Sequence, residues 1–277
     1  MIKWLAFLIS VGLSVLTTFQ FNVSHEYIYV IYFILFFIVY LLGLIIIFFI
    51  PLFWVQLFVK KDIEVKHYNK KFHKMYIIYT TMLLSLFGIK LEVNGKEKIP
   101  TNTTFVVAHN HLSNLDPIII NVYFRKYPMI FMAKKSLSKI PFFGTMIKRT
   151  GFIFLERDGS TKDAYAIARG IKMLRNDECS IGIAPEGTRN FTHEVLLPFK
   201  EGTFVLAQKA RKPIVVTAFT NTNIVNDNLL FKRHNIHLEI IDVIEYDDFK
   251  DLSSEELTNM VYNMMYEYLK DKRVYKD

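Results

Sequence analysis

The sequence predicts an α/β domain attached to an N-terminal hydrophobic helical membrane anchor, and three observations carry that prediction. Residues 1–59 contain only Lys3 and Glu26 as charged side chains, so the whole formal net charge of +8 falls on residues 60–277, and the two parts face different solvents. Beyond the anchor, apolar runs of strand length recur at 104–108, 129–133, 152–155, 180–184, 213–219 and 236–242, with segments of helical periodicity between them; this is the alternation of an α/β sheet. Polar and basic side chains crowd the ends of several of these runs, where α/β sheets place their sites.

The anchor occupies 1–61. The run 27–59 lacks any charge, and at about 1.5 Å per residue it exceeds the roughly 30 Å hydrocarbon core of a bilayer. Residues 28–50 read as one span, with Pro51 as its end, Trp54 at headgroup level and Lys60 and Lys61 as the stop to insertion. The earlier run, 4–19, carries Ser10, Ser14, Thr17 and Thr18, so it reads as a short span or as a helix lying in one leaflet. A cleaved signal peptide is disfavoured, because no small-x-small site follows and a longer apolar segment comes directly after. The loop 20–26 holds no Lys or Arg, whereas Lys3, Lys60, Lys61 and Lys66 flank the pair of runs; if both runs cross, residues 60–277 then face the cytoplasm.

Residues 62–88 start basic and turn apolar, which suits an interfacial helix, and 89–277 form the α/β domain. A composition of 52% hydrophobic residues with 11 Gly and 8 Pro excludes disordered and collagen-like chains. The single Cys179 excludes a disulfide framework and fits a reducing compartment. The basic charge either draws the domain to anionic headgroups, by about 1 kcal/mol per basic residue at the surface, or simply keeps it soluble. Nucleic acid is not an expected partner, since zinc-finger spacings, basic-region heptads and arginine-rich tracts are lacking. Two helices are marked within the domain: one from Ser160, with Asp163 completing a capping box and Ala164, Ile167, Ala168, Ile171 and Leu174 on one face, and one from Ser253, with Glu256 as box partner and Leu257, Val261, Met264 and Tyr268 as its stripe.

Asn110-His111-Leu112-Ser113-Asn114-Leu115-Asp116-Pro117 follows the run 104–108. On one continuous helix His111 and Asp116 would stand about 140° apart, so the pair needs a bend. Pro117 suits a first helical turn and disfavours helical geometry at the residue before it, which makes Asp116 the expected N-cap and His111 a loop residue. A carboxylate on one imidazole nitrogen fixes the tautomer and leaves the other to take a proton from an alcohol. Alone, a His-x4-Asp is more often a cap beside a satisfied histidine. His109 also flanks Asn110, but no further Cys, His or carboxylate cluster completes a ligand set, so no metal is expected.

Pro185-Glu186-Gly187-Thr188-Arg189 closes the run 180–184. Gly187 permits close backbone approach, Arg189 can fork onto a phosphate, and Glu186 can orient that arginine or a substrate hydroxyl; an ion-paired turn fits the five residues equally. Arg157 ends the run 152–155, and Lys134 ends the one before it. A base and several cations at strand ends beside a bilayer suit an amphiphilic substrate whose charged head lies at the interface.

Taken together, NHLSNLD (110–116), GFIFLER (151–157) and PEGTR (185–189) resemble, in order and spacing, the membrane glycerolipid acyltransferases, specifically the lysophosphatidate (1-acylglycerol-3-phosphate) acyltransferases. The resemblance spans roughly 90–220 and includes AKKSL (133–137), IPFFG (140–144) and FKEGT (199–203). It implies a mixed sheet flanked by helices, with His111 as base, Asp116 as its partner, Arg157 and Lys134 as phosphate contacts, and Glu186, Gly187 and Arg189 in acceptor binding. Asn110 and Ser113 are then supporting residues. The implied reaction moves an acyl group from acyl-CoA or acyl carrier protein to the sn-2 hydroxyl of lysophosphatidate at a phospholipid membrane, with no cofactor. Two rivals stay open: an acyltransferase acting on glycerol 3-phosphate or another lysophospholipid, and a non-catalytic lipid-binding protein. The chain departs from the family pattern at Ala184, where an aromatic is usual, and at Val216-Thr217, where a second proline is common; these positions are expected to bear on the substrate pocket.

Overall fold

The computed structural model describes residues 2–21, 25–58, 65–157, 160–225 and 233–274, which divide into two compact units, Met1–Lys61 and Asp62–Asp277. The first holds α1 (Ile2–Thr18) and α2 (Glu26–Phe58), packed through ring pairs such as Phe7–Phe37 at 5.6 Å and Phe21–Tyr32 at 5.4 Å. Within α2, Glu26–Val55 is long and apolar enough to cross a membrane. Ser10, Ser14 and Thr18, at four-residue spacing, are the buried polar residues of α1. The Ser14 and Thr18 hydroxyls donate to carbonyls one turn back, which hides their polarity inside an apolar helix. Pro51 does not end α2, contrary to expectation: the helix continues through it to Phe58. A proline removes one N–H bond, whereas breaking the helix in an apolar medium strands several backbone groups, so continuing is the smaller loss. The expected stop at Lys60 and Lys61 lies outside the described residues.

The second unit is built on one seven-stranded sheet. Its strands are β1 (Ile89–Asn94), β2 (Val106–His109), β3 (Met129–Lys134), β4 (Ile153–Leu155), β5 (Ser180–Ile183), β6 (Ile214–Phe219) and β7 (His234–Ile244), in the order β1-β7-β6-β2-β5-β3-β4. All neighbours are parallel except β6 and β7, so the sheet is mixed. Every residue of β2, β5 and β6 is buried, as parallel strands covered on both faces must be. β1 was not among the expected strands; it is an edge strand in which Ile89, Leu91 and Val93 alternate with Lys90 and Glu92.

The helices are α3 (Lys70–Leu86), α4 (Asp116–Tyr123), α5 (Phe143–Thr150), α6 (Thr161–Arg175), α7 (Val205–Ala210), α8 (Tyr246–Phe249) and α9 (Ser254–Leu269). α3 packs on α4 and α5, and it is tied to α4 by a buried polar chain: Tyr68 Oη lies 2.6 Å from His73 Nδ1, and His73 Nε2 lies 2.8 Å from Asn121 Oδ1. Burial pushes the His73 imidazole pKa down, so the neutral ring accepts from Tyr68 and donates to Asn121.

Two helices differ from their expected stripes. In α6, Ala164 and Ala168 are exposed, and the buried residues are Asp163, Gly170, Met173 and Leu174. Gly170 is the reason, because a Cβ there would lie 2.9 Å from the side chains of Ile153 and Leu206; the closest face thus carries no side chain for periodicity to register. Nor does the Ser160 hydroxyl cap α6. Asp163 turns instead to the N–H groups of Glu156 and Arg157, at 2.7 and 2.8 Å. In α9 the Ser253–Glu256 capping box forms, but the buried apolar stripe is Leu257, Val261, Met265 and Leu269, with Met264 and Tyr268 half-buried beside it.

Candidate active site

β2 to β6 run in one direction, so their carboxyl ends share an edge, and the motif residues gather there. β2 stops at His109 and the chain turns. Asp116 is the first residue of α4 and not its cap; Leu115 occupies the N-cap position and Pro117 the first turn. The expected forward cap is replaced by a backward reach. Asp116 Oδ2 accepts the N–H groups of Leu112 and Ser113, each at 2.7 Å, and faces His111 Nδ1 at 3.0 Å. The Ser113 hydroxyl accepts the Leu115 N–H at 3.3 Å, which tightens the same turn. With the carboxylate on Nδ1, that nitrogen carries the proton and Nε2 is left as an acceptor. The His111 side chain is 18% exposed and that of Asp116 is sealed, which puts the imidazole in reach of solvent and its partner beneath it.

β5 leads into a turn closed by the Gly187 N–H on the Ala184 carbonyl at 3.0 Å. Gly187 has φ +70°, and a Cβ there would meet Lys200 Cε at 2.6 Å, so the turn needs glycine. It buries Glu186, whose two oxygens accept the N–H of His111 at 2.7 Å and that of Leu197 at 3.0 Å. Burial pushes the Glu186 carboxyl pKa up, while those N–H bonds and the charges of His111 and Arg273 pull it back. The His111 carbonyl accepts the Asn190 N–H at 2.7 Å. Asn110 locks the neighbouring loop: its side chain donates to the Phe219 carbonyl at 2.8 Å and accepts the Phe219 N–H at 2.7 Å.

The cations stand further out. Arg157, just after β4, has φ +68°. That left-handed conformation is uncommon for a side chain larger than glycine, and the Asp163 carboxylate holds it through the Arg157 N–H. Its guanidinium donates to the Gly187 carbonyl, linking the second and third motifs. Lys134 ends β3 exposed, in register with Leu155 of β4. Arg189 lies 4.5 Å over the Phe191 ring. Among the described residues, neither Lys134 nor Arg189 is hydrogen-bonded to the His111–Asp116 pair.

Sequence reasoning missed several supporting residues. Asn190 follows Arg189 directly, and Asp163 was assigned to a cap. Thr217, one of the departures, is buried, and its hydroxyl donates to the Ala108 carbonyl at 2.9 Å where the β6–β7 register shifts past Ile241 of β7. His109 is fully buried, its ring 5.9 Å from that of His111. Burial and His111 push its pKa down to about 4, so it adds no charge there at neutral pH. Among the described residues there is no group of three His, Cys, Asp or Glu side chains placed to hold a metal ion.

A mixed α/β sheet that carries an imidazole–carboxylate pair and a fringe of cations at its carboxyl edge has the build of a group-transfer enzyme. Residues 90–220, which include all nine motif residues, match the family model described as Acyltransferase. A 1-acyl-sn-glycerol-3-phosphate acyltransferase of Borreliella burgdorferi is 31% identical over 69% of this chain and 76% of its own length, and one of Bacillus subtilis is 30% identical over 63% and 83%. The crystal structure of the 1-acyl-sn-glycerophosphate (LPA) acyltransferase PlsC from Thermotoga maritima has the same fold: the TM-score is 0.61 at 24% identity, covering 82% of this chain and 88% of that one. The chain belongs to the acyltransferase family.

Proposed function

We propose that this enzyme transfers an acyl group from a thioester, acyl-CoA or acyl carrier protein, to the sn-2 hydroxyl of lysophosphatidate, giving phosphatidate. The observation that carries this reading is the 3.0 Å contact between His111 Nδ1 and Asp116 Oδ2, with the imidazole partly exposed and its partner buried. His111 Nε2 takes the hydroxyl proton as the oxygen attacks the thioester carbonyl. The C–S bond then breaks, and the proton passes to the leaving thiolate. Arg157, Lys134 and Arg189 receive the phosphate, and Glu186 with Gly187 shapes the acceptor side. Asn110 and Ser113 hold the loop. The transfer is direct and needs no cofactor: Cys179 is fully buried, and burial pushes its thiol pKa up, which disfavours an acyl-enzyme.

The names of the relatives support the acceptor. The apolar length of α2 supports a membrane location, with residues 1–61 as the anchor. The exposed Lys70, Lys71, Lys74 and Ile78 of α3 support placing 62–88 at headgroup level, with 89–277 as the acyltransferase domain facing the cytoplasm. The test is purified full-length protein with labelled acyl-CoA and acyl carrier protein against a panel of lysolipids and glycerol 3-phosphate. Preferred transfer to lysophosphatidate is expected; transfer to another acceptor in its place overturns the assignment.

A further inference from the structure

α9 and the tail after it lie outside 90–220, the stretch matched by the family model, yet the tail reaches the site. Arg273 is 8% exposed. Its Nη1 donates to the Glu194 carbonyl and, at 2.6 Å, to the Val195 carbonyl, and its Nη2 donates to the Thr192 carbonyl at 3.3 Å. One residue on, the Val274 N–H donates to the Thr220 carbonyl at 2.8 Å, and the Val274 carbonyl accepts from the Asn223 side chain at 3.1 Å. The turn held by the guanidinium is also organised by Asn190, which donates to the Glu194 carbonyl at 3.0 Å and accepts the Thr192 N–H at 2.9 Å. Both ends of this turn lead to the site: Asn190 N–H binds the His111 carbonyl, and Leu197 N–H binds Glu186.

The charged and titratable groups that act on Glu186 are His111, Arg273 and, from α9, Tyr262, with Glu194 on the turn itself acting on Tyr262. Of these, the guanidinium is the one that never loses its charge. Burying it is costly unless its donors are used, and here both terminal nitrogens are used on the carbonyls of a turn that ends on Glu186.

We propose that Arg273 is a positioning residue of the acceptor site: from the C-terminal tail it clamps the 192–197 turn and sets a permanent positive charge near Glu186, keeping that carboxylate seated on the His111 N–H. This rests on the reading of His111 and Glu186 given above. Two full-length variants separate the parts of the role. Arg273→Met keeps the buried stem but loses charge and hydrogen bonds; Arg273→Lys keeps the charge and loses the fork.

For Arg273→Met the acceptor KM should rise about tenfold or more. kcat should change much less, because the His111–Asp116 pair itself is untouched. Arg273→Lys, which keeps the charge, should recover part of that KM, and in a Glu186→Gln background Arg273→Met should raise KM little further. Hydrogen exchange needs no substrate: in a folded Arg273→Met protein the amides of 190–197 and of His111 should lose protection while those of β2 to β5 keep it. Unchanged exchange in those amides overturns the inference whatever the enzyme acylates, and so does an unchanged acceptor KM in an active Arg273→Met enzyme. Failure of the wild type to acylate lysophosphatidate overturns only the proposed acceptor.

Discussion

His111 is held from both sides where water is largely excluded: Glu186 accepts its backbone N–H, and Asp116, seated on the Leu112 and Ser113 N–H groups, faces its ring. Lys134, Arg157 and Arg189, on the same edge of the sheet, stand nearer the surface, where Arg157 holds a carbonyl and Arg189 a ring. The inner group is fixed before any ligand arrives, and the outer group can still adjust. The difference matches the tasks proposed for each. Proton transfer depends steeply on position, whereas a phosphate at a lipid surface must be caught from varied approaches by long, screened cations.

The sharpest way to break this contrast is His111→Ala, for which a fall in kcat on the order of 10²–10⁴ is expected with acceptor KM nearly unchanged; single-substrate kinetics reads both, and normal turnover would remove His111 from the chemistry. Asp116→Asn comes next. The amide keeps one oxygen for the two backbone N–H groups but buries an NH2 where Oδ1 has no hydrogen-bond partner, so a stability loss of about 1–3 kcal/mol is expected in thermal or denaturant unfolding, together with a fall in kcat as the ring loses the charge that stabilises its protonated form. A stable, fully active Asp116→Asn enzyme would show that the inner group is not held as described.

Arg157→Ala tests the outer group. Acceptor KM should rise by about tenfold with a smaller change in kcat, the loss expected for a hydrogen bond to a charged group. Raising ionic strength in the wild type should also raise KM more than it lowers kcat, because exposed cations are screened and the buried pair is not. A kcat effect as large as that of His111→Ala would merge the two groups. The smallest effect is expected for Cys179→Ala: the thiol is fully buried, so turnover should stay at the wild-type level and thiol reagents should not inhibit the native enzyme.

Six of the seven strands were legible in the sequence, because apolar runs mark buried strands, and the nine proposed site residues were picked out by the particular side chains at the ends of those runs. β1 was missed because an edge strand with Lys90 and Glu92 outward has only a weak apolar signal. The α6 face was misread because Gly170, its point of closest approach, contributes no hydrophobicity. Asp116 and Asp163 both stand at helix starts as expected, but Asp116 is read as an N-cap and Asp163 as the box partner of Ser160, and each instead accepts N–H groups of the loop before its helix. Local sequence offers a carboxylate near a helix start both options, and the tertiary path of the preceding loop chooses. The contacts that join the loops, Glu186 to His111 and Asn110 to Phe219, link residues 75 and 109 positions apart, beyond the reach of any local pattern.

β7 alone among the central strands runs backward, so α9 starts near the opposite edge of the sheet and returns the chain to the catalytic rim, where Val274 meets Thr220. A bulky label attached at the exposed Val274 is therefore carried to that rim, and one on the exposed Glu255 at the start of α9 is the sounder choice for assays.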